Sequence, residues 1–122
     1  MAEFQGRKSK LKCRKKKKSE LGSDPRLTSL THGTDKEEKS KEVDKKGGGK
    51  KTVLMRTKFV NISDGNKAKR VEIKSVVDNI ANKDFKRMSV ISKGAIVETE
   101  LGKAKVTSRP SQEGVVNAVL VK

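Results

Sequence analysis

Aromatic side chains are almost missing from this sequence: three Phe, no Trp and no Tyr among 122 residues. That scarcity excludes single-stranded nucleic-acid recognition by a platform of stacked rings, which needs several exposed aromatics. The single cysteine, Cys13, excludes an internal disulfide and fits a reducing compartment. The single histidine, His32, has no second His and no Cys–Cys spacing beside it. It reads as a solvated loop residue rather than a metal ligand or general base. No apolar run is long enough for a transmembrane helix, and no apolar stretch follows Met1 as in a secretory signal. Acidic residues are outnumbered: 15 Asp+Glu stand against 31 Lys+Arg, a net charge of +16 with a pI near 10.1. Such an excess opposes compaction by self-repulsion and suits a chain that meets a polyanion. An acidic protein or an anionic membrane surface would attract it too.

What is abundant is lysine, and it is unevenly spread. Between Met1 and Lys18, Arg7, Lys8, Lys10, Lys12, Arg14, Lys15, Lys16, Lys17 and Lys18 face Glu3 alone. Apolar residues are few before residue 52: Phe4, Leu11, Leu21, Leu27, Leu30 and Val43. They cannot offset roughly 1–2 kcal/mol of backbone ordering per residue. Lys36 to Lys46 mixes both charge signs without periodicity, and Gly47-Gly48-Gly49 reads as a flexible hinge. Residues 1–51 are therefore expected to form a basic tail, disordered alone and ordered by a partner. The dense Arg14–Lys18 run fits an RNA arm best, because an extended chain neutralises phosphates without a fold. A nuclear localisation signal is a generic alternative.

From Thr52 to Lys122 the pattern is strand. Val53, Met55, Thr57 and Phe59 alternate with Leu54, Arg56, Lys58 and Val60, and Asp64-Gly65-Asn66 signals a hairpin turn. Val71, Ile73, Ser75 and Val77 alternate with Arg70, Glu72, Lys74 and Val76. Asp78 to Arg87 breaks the period; Ile80, Ala81 and Phe85 are expected on a helical turn plugging one end of the sheet. Met88 to Ser92 reads as a short strand. Then Ala95, Val97, Thr99 and Leu101 share one face, and Ala104, Val106 and Ser108 continue it beyond Gly102. A leucine resists the positive φ of a type I′ turn, so a four-residue loop with Gly102 at positive φ is expected. The last strand, Val115 to Val121, is apolar on both faces and should lie centrally in a sheet or be covered on both sides. The fold class expected is all-β: a small antiparallel barrel of about six strands with a short helical turn, following the basic tail.

No catalytic constellation stands out. Glu98 and Glu100 have the spacing of a carboxylate pair, but Lys103 and Lys105 across the hairpin explain them as cross-strand ion pairs. Lys46–Lys50 lacks the Gly-x-x-x-x-Gly-Lys-Ser/Thr pattern of a phosphate loop. Neither an enzyme activity, a cofactor, a metal nor a small-molecule substrate is expected. Lys103, Lys105 and Arg109 on one strand face, with Lys93 at the neighbouring turn, make a second candidate phosphate patch.

The run Ser92–Val121, SKGAIVETELGKAKVTSRPSQEGVVNAVLV, resembles without gaps the C-terminal end of the e-type ribosomal protein eight family of the small ribosomal subunit. Phe4-Gln5-Gly6-Arg7 is similar to the family's opening motif. Arg14-Lys15-Lys16-Lys17-Lys18-Ser19-Glu20-Leu21-Gly22 is similar to its basic run, and Asn61-Ile62-Ser63-Asp64 and Val76-Val77-Asp78-Asn79 also match. Ser19 departs from a family aromatic, and Ile80 and Lys83 stand where prolines are common. The length resembles archaeal members. The resemblance implies a β-barrel structural component of the small subunit. Its partners would be small-subunit ribosomal RNA and neighbouring ribosomal proteins, in the cytoplasm, with neither membrane binding nor homo-oligomers. A biogenesis factor sharing the barrel is the alternative, but its long helical N-terminal part is absent here.

Overall fold

The computed structural model describes residues 24–33, 38–65 and 67–121. Along them run β1 (Ser29–Leu30), β2 (Lys39–Asp44), β3 (Lys50–Thr57), β4 (Phe59–Asp64), β5 (Lys67–Asp78), α1 (Lys83–Arg87), β6 (Ile96–Thr99), β7 (Gly102–Val106), α2 (Pro110–Glu113) and β8 (Asn117–Leu120). Strands β4-β5-β6-β7-β8 close into a barrel, and β1-β3-β2 form a separate three-stranded sheet. Four of the barrel's neighbouring pairs are antiparallel; the seam between β4 and β8 is parallel. The all-β class and the small barrel are as expected, with five strands in place of six. Met88–Ser92 supplies only an isolated bridge, Ser29 to Val90, although Val90 and Ile91 are buried.

Period-two patterning decides what fills the barrel. Ala95, Val97 and Thr99 point in, as do Ala104, Val106 and Ser108. They meet Val60 and Ile62 of β4, Ile73 and Val76 of β5, and Ala118 of β8. Alanines at 95, 104 and 118 are completely or almost completely buried, matching the narrow lumen of so small a barrel. Thr28, Leu30 and Leu54 extend this core beneath the three-stranded sheet. The Thr28 hydroxyl donates to the Leu54 carbonyl at 2.7 Å.

The β6–β7 hairpin keeps the expected faces except at Leu101, which is not on the lumen face but 46% exposed in a turn tighter than the expected loop. Val97 pairs with Ala104 and Thr99 with Gly102, leaving a two-residue turn, Glu100-Leu101. Gly102 takes the positive φ, +121°, and Leu101 is spared it. Placing the left-handed residue just after the turn lets a leucine occupy the turn itself. The Thr99 hydroxyl donates to the Gly102 carbonyl at 2.8 Å and locks the corner.

Other expectations give way where local polar bonds override the pattern. The strand expected to run through Val60 divides at Lys58, and β3 and β4 join different sheets. There the Phe59 N–H donates to the Thr57 hydroxyl (3.2 Å) and the Lys58 carbonyl accepts from Ile73 N (2.8 Å). Register shifts between Ile73 and Ser75, and between Val76 and Asp78, break the alternation of β5, so Ile73 and Val76 are both buried. Ile80 does not plug the barrel; it is 75% exposed. Asn79 anchors that end instead, donating from Nδ2 to the Val90 carbonyl (3.2 Å) and to Ser92 Oγ (2.9 Å). Strand β8 is central, flanked by β4 and β7, but only one of its apolar faces is covered: Val119 stays 47% exposed while Ala118 faces the lumen.

The segment before Thr52 is not uniform. Strand β2 pairs along β3 from Lys39↔Arg56 to Asp44↔Lys50, and β1 pairs in parallel with the end of β3. Gly47-Gly48-Gly49 is the tight turn of the β2–β3 hairpin, with Gly47 and Gly48 at φ +82° and +79° and Lys45 N donating to the Gly49 carbonyl (2.6 Å). The alternating charges of β2 carry no apolar period because the strand lies at a sheet edge with both faces largely in solvent.

Candidate nucleic-acid interface

Of the candidate RNA-binding residues, Arg7, Lys8, Lys10, Lys12, Arg14, Lys15, Lys16, Lys17 and Lys18 lie outside the described residues, as does Cys13. The other four lie on or beside the barrel. Because Ala104 and Val106 occupy the lumen, Lys103 and Lys105 on β7 project outward. Lys103 stands opposite Glu98, and Lys105 between Ile96 and Val119. The expected ion pairs do not form: among the described residues no contact within 4.0 Å joins Lys103 or Lys105 to Glu98 or Glu100. Glu98 instead accepts from the Ser75 hydroxyl at 3.1 Å, and Glu100 sits in the turn, out of register with Lys105.

Lys93 is positioned by Gly94, whose positive φ of +86° turns the chain into β6. The Gly94 N–H donates to the Val106 carbonyl (2.8 Å) and the Val106 N–H to the Ala95 carbonyl (2.9 Å), pinning the turn against the end of β7. Lys93 and Lys105 therefore line one open groove of about 640 Å³, shared with Ile80, Ala81 and Thr107. Among the described residues no carboxylate lines it.

Arg109 is not on the strand face with Lys103 and Lys105. Strand β7 ends at Val106, and Arg109 precedes Pro110, the first residue of α2. A residue before proline is held out of the helical region, here at φ −111° and ψ 88°. The Arg109 carbonyl accepts from Gln112 N and Glu113 N, both at 2.9 Å, while Glu113 Oε2 accepts from Arg109 N at 3.4 Å. Glu113 thus folds back toward the arginine instead of standing clear beyond the turn.

Further cations escaped the sequence reading. Lys39, Lys41 and Arg56 line one open groove along the β2 side of the three-stranded sheet. The mixed charges of β2 concealed them, since only the pairing with β3 brings Arg56 alongside Lys39. Among the described residues no group of three or more His, Cys, Asp or Glu converges as a metal site. His32 Nε2 lies 3.3 Å from Ser89 Oγ, and the two carboxylates weighed as an acid–base pair are separately engaged or turned away. Among the described residues the arrangement presents spaced cations without a paired carboxylate, a pattern suited to phosphates.

The family model for ribosomal protein S8e matches residues 3–121. The small ribosomal subunit protein eS8 of Methanococcus aeolicus is 50% identical over 109 residues, covering 88% of this chain and 82% of that protein. That of Nanoarchaeum equitans is 44% identical over 127 residues, 97% and 96% of the two chains. That of Sulfurisphaera tokodaii is 44% identical over 113 residues, 91% and 85%. With the model spanning nearly the whole sequence, the chain belongs to the ribosomal protein S8e family.

Proposed function

We propose that the protein is a structural constituent of the small ribosomal subunit. In this reading it is held on small-subunit ribosomal RNA by a basic tail and a basic barrel face, supports translation, and resides with the ribosome in the cytoplasm. Its relatives carry the small-subunit name along nearly their full length. The observation that supports the RNA contact is the groove between Lys93 and Lys105, which contains two lysines and no acid among the described residues. A phosphate entering it displaces counterions and meets ammonium groups that pair with no acid among the described residues. Lys103 extends the groove along β7, and Arg109 offers a guanidinium at the neighbouring corner. Arg7 to Lys18 supply a run of cations that needs no fold to follow a phosphate backbone. The outer face of Val119 on β8, beside Lys105, gives a neighbouring ribosomal protein an apolar foothold next to the RNA.

Sedimentation of a cell extract tests the assignment. One copy per mature small subunit is the expected result. Confinement to precursor particles would identify an assembly factor instead. Ultraviolet crosslinking of the purified particle should then join RNA to peptides containing Lys93 and Lys105.

A further inference from the structure

We infer that the groove along the β2 side of the three-stranded sheet, lined by Lys39, Lys41 and Arg56, is a second docking surface for an RNA backbone, distinct from the barrel groove. Lys39 and Arg56 are Cα partners in the β2–β3 ladder, at the register shift between Lys39 and Ser40. Like charges directly opposite each other destabilise a sheet. Among the described residues, the two acids nearest this pair in sequence are committed elsewhere. Glu38 Oε1 accepts from the Thr57 hydroxyl at 2.9 Å and pairs with Arg70 at 3.0 Å, tying the sheet to β5. Glu42 pairs with Lys50 at 3.6 Å.

The cations line an open groove of about 480 Å³, floored by half-buried Leu27 and Met55, with no carboxylate among the described residues that line it. At Ser29 and Arg56 it runs into a second depression of about 340 Å³ that reaches His32 and has no carboxylate among the described residues that line it. Arg56 therefore stands where the two meet, with an exposed guanidinium whose fork matches two phosphate oxygens. A continuous anion is the ligand that satisfies cations spaced along such a path, and RNA is that anion on the reading proposed above, on which this inference rests. An acidic protein segment is the competing occupant.

The test uses the full chain and a transcript of small-subunit ribosomal RNA, with affinity measured across a salt series. Substituting Lys39→Gln, Lys41→Gln and Arg56→Gln together should lower the salt slope by roughly 2–3 units, at ~0.7–0.9 per phosphate contact. The same variant without RNA should melt about 1–4 °C higher, because the like-charge pair is gone. A melting point that falls instead makes the three residues structural and overturns the inference. An unchanged slope, with Lys93→Gln/Lys105→Gln still weakening binding, overturns the inference and leaves the barrel-face reading standing. If neither variant alters binding, both fail. If polyglutamate displaces the RNA from the wild type at equal charge concentration but not from the triple variant, the surface is for acidic protein.

Discussion

Replacing Gly114 with alanine should open the joint between the barrel and the three-stranded sheet. Gly114 caps α2 at φ +74°, and a Cβ built there would meet the Thr52 carbonyl oxygen at 3.0 Å and its carbon at 3.4 Å. Two costs combine. A residue with a Cβ in the left-handed region loses about 1–2 kcal/mol, partly offset by ~0.4–1 kcal/mol from a less flexible unfolded chain. The overlap falls on backbone in the middle of β3, which cannot swing aside like a side chain tip, and overpacking of that kind adds roughly 1–3 kcal/mol. Gly65 supplies the control: its φ is +64°, but a Cβ there meets nothing within 4 Å. Gly65→Ala should therefore cost at most about 1–1.5 kcal/mol, from strain alone. Gly114→Ala should cost about 2–4 kcal/mol. At ~4–8 °C per kcal/mol for a domain of this size, thermal melts followed by circular dichroism separate the two variants by several degrees or more. Equal melting points would refute the claim that contact with Thr52, rather than backbone conformation, fixes glycine at 114.

Deleting residues 1–18 removes nine basic residues and Glu3, a net +8. If half of those charges meet phosphates, the salt slope of RNA affinity should fall by roughly 3–4 units, which filter binding across a salt series measures. Arg109→Ala should weaken RNA binding by about 1–3 kcal/mol with little change in melting, and Arg109→Lys should recover only part of it, since an ammonium lacks the fork. Val106→Ala should do the reverse, lowering stability by roughly 1–3 kcal/mol in a denaturant titration without altering the cations of β7. Asn79→Ala should cost about 1–3 kcal/mol in the same titration, because the buried Val90 carbonyl and Ser92 lose their partner.

The barrel was legible wherever alternation ran uninterrupted. Ala95 to Ser108 show which side chains face the lumen because one buried face forces period two. Asp64-Gly65-Asn66 marked its hairpin through turn chemistry alone, and Asp64 pairs with Lys67 across it. Where polar bonds set the path, the pattern misled. Nothing in the alternation around Lys58 reveals that the Thr57 hydroxyl will take the Phe59 N–H and send the chain into another sheet. Ile80 looked like core because it is apolar; Asn79, a poor core residue by composition, holds the buried place through its amide. Among the candidate cations, Lys103 and Lys105 faced outward as the alternation required. The fate of their glutamate partners depended on Ser75, far away in sequence. The Arg56 surface was illegible for a similar reason: a mixed-charge edge strand has no period to read, and its meaning comes only from the strand beside it.

The parallel seam sets how the barrel comes apart. Asn61 and Asn117 meet across it, 56 residues apart, and the Asn61 amide donates to the Asn117 side chain at 3.2 Å. A long stretch of chain must be ordered before that contact forms, so closure belongs to the slow, late part of folding. Until then β4 and β8 each present an open edge. Once closed, neither edge is free to fray, because each strand of the ring is held on both sides. Loss of β8 would not trim one strand from the domain but return a ring to an open sheet with its lumen wet. Backbone amides of β4 should accordingly exchange with solvent only as fast as those of β8, two distant segments opening in a single event.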